Sequence, residues 1–440
     1  MENKLPISRD VIDRKFDEMG IKDAGKASIR EIVRIANLLE SETGVKFIRM
    51  EMGVPGLPAA EIGVEAEIKA LRNGVASKYP NIEGIPQLKE EIAKFAELFL
   101  GVKTHPRCCI PCVGSMQGAF ASFLVTCRRD RKKDFTLFID PGFPVQKQQH
   151  KVTGLKYRSF DVYEWRGERL EAKLREELEK GDVSTIVYSS PNNPSWICLT
   201  QRELEIIGRL ATEFDVVIIE DLAYFGMDFR EDYSKPGLAP YQPTVAKYTD
   251  NYILLISSSK AFSYAGQRIA CIVISDKLFD RSFPDLKNYF SSEKFGHTLI
   301  YGSLYSLSAG TAHSAQFALT ALFKETNDGK YNFIEAIKEY GKRAEAVKKI
   351  FLLNGFKLVY DKDEDKPLAH GFYFTISRPG FGGGEILKEL LCYGISSISL
   401  EITGSDHSEG LRACVSQIGP ELFDELDERL KLFNKKHGNL

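Results

Sequence analysis

Five short runs of nearly unbroken apolar residues constrain this chain most: Thr136–Asp140 (TLFID), Thr185–Ser189 (TIVYS), Val216–Asp221 (VVIIED), Tyr252–Ser257 (YILLIS) and Ile269–Ser275 (IACIVIS). A strand apolar at successive positions must be covered on both faces, as in a parallel sheet with helices above and below. Helix signals lie between the runs. Thr200 and Glu203 form a capping box ahead of an apolar stripe of Leu204, Ile207, Leu210, Ala211 and Phe214. Pro86 suits a first helical turn, Leu88, Ile92, Phe95 and Phe99 form one face, and Gly101 marks its end. The alternation predicts an α/β fold with a mostly parallel sheet.

The pattern changes near the C-terminal quarter. One long amphipathic helix is predicted from about Tyr331, carrying Ile334, Ile337, Tyr340, Ala344, Val347 and Phe351, with an end near Gly355. A two-period segment, Gly371–Ser377, and a final helix from about Pro420 follow. Residues after about 320 therefore read as a smaller α+β domain. The charged stretch Asp361–Lys366 reads as a solvated turn, and the glycines of Gly380–Gly384 as a flexible one that fails the G-x-G-x-x-G spacing.

Composition narrows the function classes. Lys and Arg number 59 against 61 Asp and Glu, a net charge of -2, which argues against a nucleic-acid binder held by counterion release. The longest apolar stretch, Gly118–Cys127, falls far short of the roughly 20 residues that span a bilayer. The N-terminal stretch MENKLPISRDVIDRK has no signal-peptide-like apolar segment, so a cytoplasmic protein without membrane partners is expected. The eight cysteines are then expected as free thiols. Cys108, Cys109 and Cys112, near His105, raise the question of zinc. A strand through Cys109 and Cys112 would point the two thiols to opposite faces, and no second ligand pair completes a site, so no metal is expected.

Polar residues cluster where these strands end, which is where open α/β sheets bind ligands. Lys260 follows Ser257-Ser258-Ser259, with Arg268 eight residues on. A lysine drawn out of water loses basicity and becomes a nucleophile, and hydroxyls beside an arginine suit a phosphate. Asp221 ends an apolar strand, where a carboxylate requires a partner, and Tyr224 follows it. Asn192-Asn193-Pro194 and the small-residue segment Gly114-Ser115-Met116, which opens a helix, complete the set. Singly, each reads equally as an exposed lysine, a cap, a turn or a loop.

In this order, with Phe143 after Asp140-Pro141-Gly142, the motifs resemble the class I/II aminotransferases, fold-type I pyridoxal-phosphate enzymes of the aspartate aminotransferase kind, from about Gly53 to Arg412. The resemblance implies a large domain with a seven-stranded, mostly parallel central sheet flanked by helices (60–320), and a smaller α+β domain (321–440) joined by an N-terminal arm (1–59). It implies pyridoxal 5'-phosphate as cofactor. Lys260 would hold it as a Schiff base and shuttle the substrate proton. Asp221 would pair with the pyridinium nitrogen, Tyr224 and Asn193 would bond the ring's phenolic oxygen, and Phe143 would stack on the ring. Ser115 and Met116 N–H groups, Ser257, Arg268 and, more weakly, Ser259 would hold the phosphate. Tyr79 would reach the phosphate of a second subunit, implying a homodimer. Arg412 would clamp the substrate carboxylate, with Gly53 and Asn193 lining the substrate side.

The chain departs from the family pattern at Ser195 and Trp196, where the motif ordinarily reads Thr-Gly, at Leu222, and at Ala270. Trp196 reads either as lining the pocket or as packing at an interface, the second being the plainer reading. The expected reaction is ping-pong transfer of an amino group from an L-amino acid to a 2-oxo acid, leaning toward dicarboxylic donors. The alternative is a lyase or decarboxylase using the same cofactor. A regulator that borrows the fold would need a basic DNA-binding segment, which the first 50 or so residues lack. Arg72, Arg128 and Arg281 read as surface residues, and Tyr301 and Tyr305 as possible pocket aromatics.

Overall fold

The computed structural model describes residues 6–438; the first five residues of the N-terminal stretch and the last two lie outside it. Seven strands form the central sheet: β1 (Cys109–Cys112), β2 (Phe135–Asp140), β3 (Lys156–Asp161), β4 (Val183–Ser189), β5 (Val217–Leu222), β6 (Tyr252–Ser257) and β7 (Ala270–Ile274). Their order is β1-β7-β6-β5-β4-β2-β3, and only β7 runs antiparallel to its neighbours. All five apolar runs are strands of this sheet. Alternate residues bury on opposite faces. Ile139, Ile186, Ile218, Leu254 and Val273 join one core with the helices Pro86–Phe95 and Gln201–Glu213, while Phe138, Val187, Ile219, Leu255 and Ile272 join another with the helix Gly114–Thr126. Cys109 and Cys112 divide between these two cores, as their spacing predicts.

Residue-level signals set the helix limits. Thr200 and Glu203 form the capping box reciprocally, and Gly101, at φ 67°, closes the helical stretch begun by Pro86. Strand β3 escaped the sequence reading because it is a polar edge strand; Lys156 is exposed and Arg158 pairs with Asp182 and Glu177.

A third core joins residues between Ile7 and Met50 to residues between Ala344 and Phe433. Its antiparallel sheet runs β10-β11-β9-β8, with β8 (Lys357–Leu358), β9 (Tyr373–Ser377), β10 (Ile398–Ser399) and β11 (Leu411–Cys414). Phe374, Ile376, Leu411 and Ala413 face the third core, whereas Tyr373 and Cys414 belong to a core of the central sheet. The segment expected to alternate is thus buried on both faces, because its second face meets the central sheet's strand ends rather than water.

Three expectations need correction. The long helix is two pieces, Phe333–Ile337 and Glu339–Leu353, broken at Lys338; beyond the break Gly341 passes Phe229 so closely that a Cβ there would meet its ring at 2.9 Å. Asp363, in the stretch read as solvated, is buried between Arg166 (3.0 Å) and Arg230 (2.8 Å), since two guanidinium groups offset its desolvation. The glycines of 380–384 divide: Gly380 makes a turn at φ 85° as read, whereas Gly383 and Gly384 serve close approach, a Cβ at Gly384 standing 2.7 Å from the Gly25 nitrogen.

Candidate active site

The C-terminal ends of β2, β4, β5 and β6 converge with β9 and β11. Lys260 lies in a single helical turn, Ser258–Ala261, capped by Ser257 Oγ, which accepts from the Ser259 N–H at 3.2 Å. The residue is half-buried. Its Nζ donates to the Gly53 carbonyl and lies 5.2 Å from the Phe372 ring centroid. Desolvation, aided by the nearby cations of Arg268 and Arg412, lowers its pKa to about 8.

Asp221 is buried near the end of β5. Its Oδ2 accepts from Gln146 Nε2 at 3.2 Å, and its buried Oδ1 has no partner. Burial pushes its carboxyl up to about 7. A carboxylate with one orphaned oxygen fits a cationic N–H donor such as a pyridinium.

Arg412, fully buried on β11, donates to Asn193 Oδ1 at 3.1 Å and to the Glu51 carbonyl, while its Nε has no partner. Its guanidinium stacks 4.5 Å above the Tyr373 ring. The Tyr373 hydroxyl pairs with that of Tyr224 at 2.9 Å. A Cβ at Gly53 would overlap the same hydroxyl, so only glycine fits there. Lys260, Tyr224, Asn193, Arg412 and Gly53 are thus brought into one connected group.

A second group lies at the N-terminus of the helix Gly114–Thr126, where the free N–H groups of the first turn attract anions. Gly114 takes φ 71°, and its missing Cβ leaves room for the Arg268 guanidinium. Ser115 is half-buried and Met116 exposed in that first turn. An anion at this helix end, charge-matched by Arg268, suits a phosphate.

Phe143 is half-buried at the start of the helix Pro144–Thr153, which carries Gln146. Tyr79 is 93% exposed and, among the described residues, joins neither of these groups. Trp196 does not pack at an external surface. It is 1% exposed at φ 67°, with its ring 5.3 Å from Tyr224 and 6.1 Å from Tyr373. Arg281 pairs with Asp215 and Arg128 covers Tyr289, both at the periphery. Tyr301 and Tyr305 are exposed at 43% and 56%. The sequence reading missed Gln146, Phe372, Tyr373 and Glu51. None sits in a spacing motif, and a polar Gln on an amphipathic helix is by itself no signal.

Residues 48–351 match the family Aminotransferase class I and II. The chain belongs to this family. It is similar to a probable aspartate aminotransferase of Methanocaldococcus jannaschii, 24% identical over 372 residues, covering 84% of this chain and 87% of that protein. An aspartate aminotransferase of Pyrococcus horikoshii is 23% identical over 315 residues, 71% and 75% of the two chains. Among solved structures, alanine aminotransferase from Pyrococcus furiosus superposes with a TM-score of 0.75 at 20% identity over 93% of this chain and 97% of that one. The likeness to that structure shows the shared fold. The protein is an aminotransferase, and its family implies pyridoxal phosphate as cofactor.

Proposed function

We propose that this aminotransferase moves an amino group from an L-amino acid to a 2-oxo acid, in a ping-pong course, with pyridoxal 5'-phosphate held by the residues above. The observation that carries this reading is that Lys260 and Arg412 donate to carbonyls of the same short segment, Gly53 and Glu51. An amine-reactive lysine and a carboxylate-binding arginine are thereby held within the reach of one amino acid.

When bound, the cofactor supplies an electron sink for charge developing at the substrate α-carbon. Lys260 Nζ, with a pKa of about 8, takes the α-proton and returns it at the other end of the transfer. Asp221 Oδ1 would accept from the ring nitrogen and keep it protonated. Tyr224 and Asn193 would bond the phenolic oxygen, and Phe143 would cover the ring. The first-turn N–H groups at Ser115 and Met116, with Arg268, Ser257 and Ser259, would take the phosphate. Arg412 presents a fork to the α-carboxylate, exchanging the Glu51 carbonyl for it. Residues 60–320 would carry the cofactor, while 1–59 and 321–440 would bring Gly53 and Arg412 over it. The exposed Tyr79 would complete the phosphate site of a second copy in a homodimer. The donor class leans dicarboxylic, as the relatives' names suggest.

The test is the near-ultraviolet and visible spectrum with pyridoxal phosphate, before and after single amino acids. A visible band that a donor abolishes and a 2-oxo acid restores supports transamination, and the fastest donor names the class. Ammonia released with an oxo acid would assign lyase chemistry instead. No band in the wild type would remove Lys260 from its role.

A further inference from the structure

Asp221 depends on neutral neighbours. Burial raises its carboxyl, and the two groups that oppose this are the Ala223 N–H and the Gln146 amide, neither of which carries charge. Gln146 Nε2 donates to Oδ2 at 3.2 Å, while Oδ1 of the same carboxyl is left without a partner. Both residues are buried, so water competes little for this bond. A carboxyl fixed at one oxygen presents the other in a set direction.

The helix Pro144–Thr153 keeps Gln146 in place, and Phe143 stands at its start. One turn beyond Gln146, the buried His150 brings Nδ1 to 2.9 Å from the Gln146 carbonyl. A carbonyl only accepts, so Nδ1 carries the proton, and Nε2 accepts from the Thr136 hydroxyl of β2 at 2.8 Å. Burial lowers the pKa of this imidazole to about 4, so the ring is neutral near pH 7. Gln149 Nε2 donates to the Met116 carbonyl at 3.0 Å, in the first turn of the helix Gly114–Thr126. The helix is thus fastened both to the central sheet and to the phosphate end of the site, and Gln146 is not free to follow a turning carboxyl.

We propose that Gln146 is a positioning residue for the cofactor ring: its amide holds Oδ2 of Asp221 so that the unpartnered Oδ1 faces the ring nitrogen, and, being neutral, it leaves the charge of the carboxylate to that nitrogen. This rests on the role given to Asp221 above. A cation on Oδ2 would draw on the same charge and weaken the hold on the ring proton. An apolar side chain there would leave Oδ2 buried without a partner, and the carboxyl would turn or keep its own proton. An amide orients the group without competing for it.

The experiment titrates the apoprotein with pyridoxal phosphate and measures the dissociation constant in four proteins: wild type, Gln146→Met, Asp221→Ala and the double variant. Met has nearly the length of Gln and no donor. Gln146→Met is expected to weaken binding about tenfold, on the scale of one hydrogen bond to a charged group. Asp221→Ala should weaken it more. Adding Gln146→Met to Asp221→Ala should cost less than about twofold, because the group through which Gln146 acts is gone. An analogue of the cofactor with carbon in place of the ring nitrogen should bind wild type and Gln146→Met within about twofold of each other. Unchanged affinity in Gln146→Met, with Asp221→Ala weakened, overturns the inference and leaves the role of Asp221 standing. Unchanged affinity in Asp221→Ala overturns both. Equal losses in the two backgrounds, or with the two ligands, would mean that Gln146 acts through the fold of its helix, and also overturn it. Gln146→Asn, one carbon shorter and equally polar, makes the same comparison if the methionine variant does not fold.

Discussion

The Gly53 α-carbon meets the Tyr373 hydroxyl so closely that a methyl group at residue 53 would occupy the position of that oxygen, with the ring carbon bearing it 2.9 Å away. The same glycine offers its carbonyl to Lys260. Gly53→Ala must therefore move either the segment or the tyrosine. Overpacking of this kind costs about 1–3 kcal/mol, which as a barrier is roughly 5- to 150-fold in kcat/KM. Steady-state kinetics would show it. Partial recovery in Gly53→Ala/Tyr373→Phe, where the oxygen is gone, would trace the loss to this contact. Unchanged kinetics in the single variant would refute it.

Lys260, with a pKa of about 8, is partly uncharged at neutral pH. At pH 7 about 300 times more of it is neutral than of an ordinary lysine at 10.5. The rate at which the apoprotein captures pyridoxal phosphate should climb from pH 6 through 8 and level off above about pH 9, following the neutral amine. Stopped-flow absorbance across pH would record it, and Lys260→Ala should form no band while remaining folded. A rate still climbing at pH 10 would mean that Lys260 keeps its ordinary basicity.

Asp221 carries a proton that an exposed aspartate would have lost, since burial lifts its carboxyl from 3.8 to about 7. Asp140 and Glu220 are raised to about 7 in the same way. Between about pH 4 and 7 the unfolded chain releases protons that the folded one retains, so stability falls as pH rises. The loss is at most about 1.4 kcal/mol per pH unit for each group. The melting temperature of the apoprotein should fall from pH 5 to 7. In Asp221→Asn, which cannot ionise, the slope should be shallower. Pyridoxal phosphate should flatten the wild-type slope by giving Oδ1 a cationic partner. Parallel slopes for wild type and Asn variant would discount the ionisation of Asp221.

The sequence made legible what is local or periodic. The apolar runs specify strands covered on both faces, and Thr200 with Glu203 specifies a helix start. Lys260 and Asp221 were legible because each is a polar residue beside an apolar run, whereas Arg412 was legible only through the family resemblance. Tyr373 was not: its partner Tyr224 lies 149 residues away, and a tyrosine in a strand is ordinary. Gln146 is found only by asking what satisfies Asp221. Trp196 was misplaced because a large aromatic after a turn carries no information about which wall it meets. Asp363 looked solvated because its partners Arg166 and Arg230 come from distant segments.

Trp196 sits in a backbone conformation that favours glycine, at φ 67°, and its buried indole fills the space that the missing side chain of Gly371 leaves. Two effects oppose in Trp196→Gly. Relief of the left-handed backbone gains about 1–2 kcal/mol. Loss of a buried tryptophan costs about 3–5 kcal/mol, as for truncation to alanine. The cavity term is larger, so the variant should unfold at lower denaturant. Tyr224 and Tyr373, which lean on the indole, should lose their fixed geometry, and kcat should fall with them. Gly371→Ala should cost about 1–3 kcal/mol in the wild type, because its methyl meets the indole edge. In the Trp196→Gly background the same methyl enters the vacated space and should cost nearly nothing. The cycle of four proteins, compared by denaturant midpoint and by kcat, measures that coupling. Strictly additive costs would mean that the two residues do not share the volume, and that Trp196 does not set the wall behind the two tyrosines.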